Sequence, residues 1–446
     1  MPTVEELKQR VCTAIEARQG DIAALAQRVL EHPEPGFLEE QTSHLVQEQF
    51  TRLGIPYRAG LAITGVKGIL AGGHPGPVVA VLGELDSLRA PGHPHANPQT
   101  GAAHACGHHA QIGMLLGAAI GLQVSGVMGQ LDGSVALMAV PAEELIDVEM
   151  RLKLRQEGRV EFLSGKQELI RLGAFDDVEM AMMVHTSSNG EEGKFTVGGT
   201  SNGHVVKYVR FLGRAAHAGG APHLGINALN AAAFALHAIH SQRETFKDND
   251  VVRVHGIITR GGSAVSAVPD DVRLEARVRG RSREAIEDAN VKVERALRAG
   301  ALAVGGKVEI TTIPGYLPMI NNPMLQGLFR ANAARLVGEG QVVVRRPTYN
   351  RGGSTDMGDL SHLMPVIHPY VGGATGVGHS DNYLIADYHL AAVEPAKAMA
   401  MCVVDLLAQG AAKAREVLVG SPPRMTKAQY VTSQRATMRT ETYSGS

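Results

Sequence analysis

Apolar runs of strand length recur along this chain with helical stretches between them, and one block in the middle breaks the alternation. PVVAVLGELD, ending at Asp86, reads as a buried strand. QIGMLLGAAIGLQVSG reads as a helix, GSVALMAV from Gly133 as a strand, and MAMMVHT, ending at Thr186, as another. Buried strands separated by helices predict an α/β fold, a mostly parallel sheet with helices on both faces. Ahead of them, MPTVEELKQRVCTAIEARQGDIAALAQRVL reads as a charged amphipathic helix. HPEPGFLEEQTSHLVQEQFTRLG follows as a turn and a second amphipathic helix ending at Gly54.

The middle block follows another order. HVVKYVRFLG from His204 alternates like a half-exposed strand, and LGINALNAAAFALHAIHS from Leu224 is helical. VVRVHGIITRGG and DDVRLEARVRG are two strands, SREAIEDANVKVERALRAGALA is a helix opened by a Ser cap, and GKVEITTI is a strand. That order, β-α-β-β-α-β, is the split unit of a ferredoxin-like domain. MPVIHPYVGG from Met364 then resumes the buried-strand style, so the block reads as an insertion. The expected division is a first α/β part over 1–198, an inserted domain over 199–316, the rest of the α/β part over 317–424, and a loosely held polar tail over 425–446.

Composition narrows the partners. Lys+Arg 43 against Asp+Glu 44 leaves a net charge of -1, which favours neither nucleic acid nor an anionic membrane. Aromatic residues make up 4% and Trp is absent, so base-stacking platforms are not expected. The three cysteines, Cys12, Cys106 and Cys402, are scattered and odd in number, which fits a reducing compartment rather than a disulfide framework. With no signal-peptide pattern and no membrane-length apolar run, the expectation is a soluble, cytoplasmic protein.

The unusual item is 19 His, several of them close to Cys, Asp and Glu. In a parallel sheet, ligands gather where loops converge beyond the carboxyl ends of strands. Asp86 ends one strand; HACGHH, from His104 to His109, precedes a helix; PAEE, from Pro141 to Glu144, ends the next strand. His185 ends another, and VGHSD, from Val377 to Asp381, lies past the last. Cys106 and His108, two apart, can be aimed at one point by an irregular turn, and thiolate and imidazole suit zinc or a neighbouring transition metal. The two carboxylates of PAEE can divide the work, one binding metal and the other moving a proton. His185 and His379 would complete the set, with Asp86 orienting a ligand imidazole. Singly, a His, a Glu pair or a Cys is more often structural or solvated; convergence of five segments is what points to a metal centre.

GELDSL, HACGHH, PAEE, RAAHAGGAPHLGINAL and STDMGDL together resemble the co-catalytic metallopeptidases that include aminoacylases, carboxypeptidase-G-type enzymes and dipeptidases. Within that family they look most like the amidohydrolase subgroup of hippurate, auxin-conjugate and aminobenzoyl-glutamate hydrolases and β-alanyl-dipeptidase-like proteins. The resemblance runs from HPEPGFLEEQTS to VGHSD. It implies Cys106, His108, Glu144, His185 and His379 as ligands of two divalent metal ions, with zinc and manganese foremost. It also implies Glu143 as general acid/base, Asp86 as support, His217 as the histidine that polarises the scissile carbonyl, often in the partner subunit, and Arg279 as the holder of a substrate carboxylate. It further implies that the α/β part is the catalytic, metal-binding domain, that the inserted domain is a lid or dimerisation domain, and that a homodimer acts on a small amide or dipeptide. Two positions depart from the subgroup: His109 stands where Asp or Asn is usual after ACGH, and Ser266 where Asn is usual before VPDD.

Rival readings are a serine hydrolase, a nicotinamide enzyme and a binding protein of the same fold without catalysis. Gly199-Thr200-Ser201-Asn202-Gly203 matches G-x-S-x-G, but the following residues read as a strand, where a nucleophile elbow needs a helix. No G-x-G-x-x-G joins the first strand to a helix. The catalytically inactive alternative keeps the ligands and is separated by the presence of Glu143.

Overall fold

The computed structural model describes residues 2–445. Its central sheet has six strands in the order Tyr57–Leu61, Gly65–Ala71, Asp132–Val140, His74–Glu84, Met180–Met182 and Val366–Ile367. The last four run parallel, and the hairpin 57–71 adds an antiparallel edge. On one face lies helix His108–Val124, buried from residue 108 through 122, an apolar-all-round helix that only a fully covered position can accommodate. On the other face, helices Val148–Gln156, Gly165–Leu172 and Met357–Ser361 contribute to a second apolar cluster with Leu154, Leu169 and Met357. Helices therefore cover both faces, as the apolar strands require.

The N-terminal stretch forms two helices, Val4–Glu16 and Gln19–Glu31, where one was expected. Arg18 leaves helical geometry (φ -117°, ψ 15°), and the turn lets both halves lay their buried residues against helix His108–Val124. MAMMVHT is likewise divided. Met180–Met182 belongs to the central sheet, while His185–Thr186 joins a second sheet ordered Val342–Asn350, Phe195–Thr200, Tyr370–Val371, His185–Thr186. Its neighbour divides in step: Met183 N donates to Ile367 O at 3.2 Å, and His185 N to Pro369 O at 3.0 Å. This shared bend carries His185 off the end of the central sheet.

The middle block forms strand Gly203–Leu212, helix Ala228–Ser241, strands Arg253–Arg260 and Asp271–Gly280, helix Arg283–Val304 and strand Lys307–Pro314. Both helices open on side-chain caps: Asn227 accepts from Leu229 and Asn230 N–H groups, and Ser282 from Ala285 N–H. The sheet is antiparallel, with a fifth strand, Arg439–Ser444, paired to Lys307–Pro314. The expected loose tail from about Met425 is thus corrected. Lys427–Thr437 is a helix with a Thr426/Gln429 capping box, and its fully buried Tyr430 donates to Asp359 at 2.9 Å. RTETYS is polar because its face away from the helices stays open, which hides the strand from a hydrophobic pattern. Among the described residues, no helix is long and apolar enough to cross a membrane.

Candidate metal centre and substrate cleft

HACGHH turns tightly into its helix because Gly107 adopts φ 91°, a left-handed conformation, and because a Cβ there would collide with the Thr186 hydroxyl. That turn sets Cys106 and His108 side by side. His379 reaches them from a loop in which it, too, is left-handed (φ 65°), and Ala142 in the PAEE loop shares the feature (φ 54°). Non-glycine residues hold such geometry only where their surroundings impose it. Around PAEE those surroundings are visible: fully buried Arg151 donates to Ala142 O at 3.1 Å, Leu163 O at 2.6 Å and Glu144 O at 2.5 Å. The Glu39 carboxylate accepts from Ala142 N at 2.7 Å, and Tyr316 hydroxyl donates to Glu143 O.

The five proposed ligands meet in two overlapping triads, Cys106–His108–His185 and Cys106–Glu144–His379, each with ligand atoms within 4.8 Å of one another. Cys106 Sγ is 3.4 Å from His185 Nε2 and 3.3 Å from His379 Nε2, and His379 Nε2 is 3.3 Å from Glu144 Oε1. Although burial alone raises it, His185, His379 and His108 hold the Cys106 thiol well below its usual value, towards the thiolate that binds metal. Glu144 and Cys106 push His379 up to about 9. His108 Nε2 and Glu144 Oε1 are buried without a hydrogen bond. Buried polar atoms without such partners in a thiolate–imidazole–carboxylate set fit a divalent cation in each triad. Asp86, fully buried, accepts from Glu144 N at 2.8 Å, and its carboxylate and carbonyl oxygens lie 3.3 and 2.8 Å from His108 Nδ1. It therefore aims the other ring nitrogen of His108 into the cluster.

Glu143 stands apart from both triads, with a carboxylate oxygen within 4.8 Å of ligand atoms of Glu84 and His108. Burial first, then Glu84 and Glu144, holds its carboxyl well above the usual range. Beneath it runs a network that sequence reasoning did not assign. Lys166 Nζ donates to Glu84 Oε1 at 2.6 Å and to Asp356 Oδ1, and Ser164 hydroxyl donates to Asp356 at 2.9 Å. Lys166 and Asp356 are fully buried and Glu84 nearly so. Glu84 and Asp356 lie within motifs already singled out, GELDSL and STDMGDL, but nothing local marks Lys166.

Across the cluster, a cleft of about 450 Å³ is lined by Glu144 and His379 on the core side and by His255, Arg277 and Arg279 on the lid side. Burial, then neighbouring Arg277, lowers Arg279 to about 10, and its Nε is buried without a hydrogen-bond partner. His217 does not line this cleft in the chain. It is exposed, and its Nδ1 accepts from Gly219 and Gly220 N–H at 3.1 and 2.9 Å. Ser266 is exposed nearby, its carbonyl accepting from Ala218 N–H. His109 belongs to neither triad; it is buried against His104 and Tyr388, with ring centroids 5.4 and 6.0 Å away. Ser201 sits between strands Phe195–Thr200 and Gly203–Leu212, not at a strand-to-helix elbow, so the G-x-S-x-G match is fortuitous.

The chain is 29% identical over 426 residues to a mouse (Mus musculus) Xaa-Arg dipeptidase, covering 91% of this chain and 90% of that protein. It is 28% identical over 371 residues to an IAA-amino acid hydrolase of Arabidopsis thaliana, covering 80% and 74%. A solved Bacillus subtilis dinuclear metal-binding peptidase superposes with a TM-score of 0.62 at 20% identity, over 88% of this chain and 99% of that one, and shares the fold. The sequence model of Peptidase family M20/M25/M40 matches residues 80–403, and the chain belongs to that family.

Proposed function

We propose that this protein is a metal-dependent amidohydrolase that hydrolyses the amide bond of a dipeptide or small N-acyl amino acid. The observation that carries the reading is the pair of triads sharing Cys106, with buried Glu143 beside them. The mouse and plant relatives, named as a dipeptidase and an amino-acid-conjugate hydrolase, support the substrate class.

Two divalent cations, zinc or manganese, would be held by Cys106, His108 and His185 and by Cys106, Glu144 and His379. Bound there, they supply Lewis-acid polarisation and a water acidic enough to attack near neutral pH. Glu143, which neither triad uses, takes the proton from the attacking water and returns it to the departing amine. The upward push on its carboxyl suits a group that must both accept and release a proton. Asp86 and Arg151 keep His108 and the PAEE backbone in place through the cycle. Arg279, which lines the cleft and has a buried N–H without a hydrogen-bond partner, pairs with the substrate carboxylate.

His217 supplies the oxyanion contact from a second copy of the chain. Its exposure supports this, as does strand Arg253–Arg260, which forms an edge of the lid sheet with no partner on its outer side among the described residues. The deciding assay is release of primary amine from a panel of dipeptides and N-acyl amino acids by chelator-stripped protein, with and without added manganese or zinc. Metal-dependent release is expected. Uptake of two ions per chain without release from any substrate would instead favour a binding protein that keeps the fold.

A further inference from the structure

We propose that the junction between lid and core holds a second ligand site, for a small, multiply charged oxyanion. A cavity of about 610 Å³ opens there and shares no lining residue with the metal cleft. Arg281 and Arg283 line it from the lid, at the start of helix Arg283–Val304; Arg345, Arg424 and His362 line it from the core. Among the described residues, none of the four guanidiniums has a carboxylate within 4.0 Å. The chain's net charge is -1, so this gathering of unpaired cations does not follow from general basicity.

Two of the four arginines are held in place, yet spare donors remain. Arg281 donates to Asn249 O at 3.0 Å. Arg345 lies 4.8 Å from the Tyr349 ring centroid, and its Nε is buried without a partner. Arg283 and Arg424 make no side-chain hydrogen bond within the described residues, and both are exposed residues of the cavity lining. His362 is buried beside them, its Nε2 3.0 Å from Pro318 O; burial, with Arg424 and Arg283 adding to it, holds this imidazole below its usual range. The single acid of the lining is Glu284, whose carboxyl is held below its usual range by its own backbone N–H and by Ser282, with adjacent Arg283 adding to the effect.

Four guanidiniums lining one concave surface make it locally positive, and their forked donors suit phosphate or carboxylate oxygens. The amino end of a 22-residue helix adds a positive dipole on the lid side. An occupant would touch both lid and core and so favour one position of the lid over the other. This site stands independently of the hydrolase reading.

The test is titration calorimetry of the purified full-length protein with inorganic pyrophosphate and with citrate, as phosphate and polycarboxylate probes. The expected result is one saturable site per chain, weakened by about tenfold or more in Arg345→Ala and in the exposed pair Arg283→Ala/Arg424→Ala, and unchanged in Arg279→Ala. Whichever probe binds more tightly assigns the ligand class. Absence of saturable binding of either probe to about 10 mM would overturn the proposal. So would binding that survives the double substitution and falls in Arg279→Ala, since the anion would then lie in the metal cleft.

Discussion

On the core side of the metal cleft, the groups that support the proposed ligands are tied down, while the ligand atoms His108 Nε2 and Glu144 Oε1 are left without a hydrogen bond. Asp86 holds His108 and the Glu144 N–H, Arg151 holds three loop carbonyls, and Lys166 bridges Glu84 and Asp356, all in buried positions. On the lid side, Arg279 has an unpartnered N–H, and His217 is exposed with its hydrogen bonds confined to its own loop. The contrast teaches that the groups proposed to bind metal and move protons are preorganised within one chain. Those proposed to grip substrate are left for a substrate, a closing motion or a second copy to satisfy.

The sharpest way to break this contrast is Glu143→Ala. Amine release should fall by about 10²–10⁴-fold, the range for loss of a general acid/base, with metal content unchanged by elemental analysis. Full activity in that variant would remove Glu143 from the mechanism. Next comes Lys166→Met, which leaves Glu84 and Asp356 buried without their shared cation. Urea unfolding should show a loss of about 3–5 kcal/mol, and an unaltered midpoint would mean the network is not part of the rigid floor. On the lid side, His217→Ala should lower kcat by about 10²–10³-fold with stability and metal content intact. Mixing it with Glu143→Ala should restore part of the activity if His217 serves the neighbouring subunit; no recovery would place it within its own chain. The smallest effect is expected for Arg279→Ala, a rise in KM of about 10–100-fold for substrates with a free carboxylate, and little change for their amides.

Much of this arrangement was legible before any coordinates. The apolar runs reach Asp86, Val140 and His185, at or just past the ends of the strands that stop at Glu84, Val140 and Met182, and loops meet beyond such ends in a parallel sheet, so the ligand-bearing segments could be named from their positions. The β-α-β-β-α-β order of the lid was readable because its strands alternate and its helices carry caps. Lys166 was not readable, because its partners lie 82 and 190 residues away and no local pattern distinguishes it from a surface lysine. The C-terminal strand escaped for the opposite reason: its polar sequence resembles solvated coil until Lys307–Pro314 supplies the pairing. MAMMVHT reads as one strand because the bend between two sheets leaves every residue but half-buried His185 buried.

What this sequence determined by itself was the alternation of elements and the kinds of atoms at their ends, since burial periodicity and ligand chemistry are local properties. The tertiary structure alone decided that Cys106 stands in both triads, that Lys166 joins Glu84 to Asp356, and that His217 is held away from the cleft in its own chain. It also gathered four arginines from distant segments around one cavity. Those outcomes depend on distances between residues far apart in the chain, and only packing sets such distances.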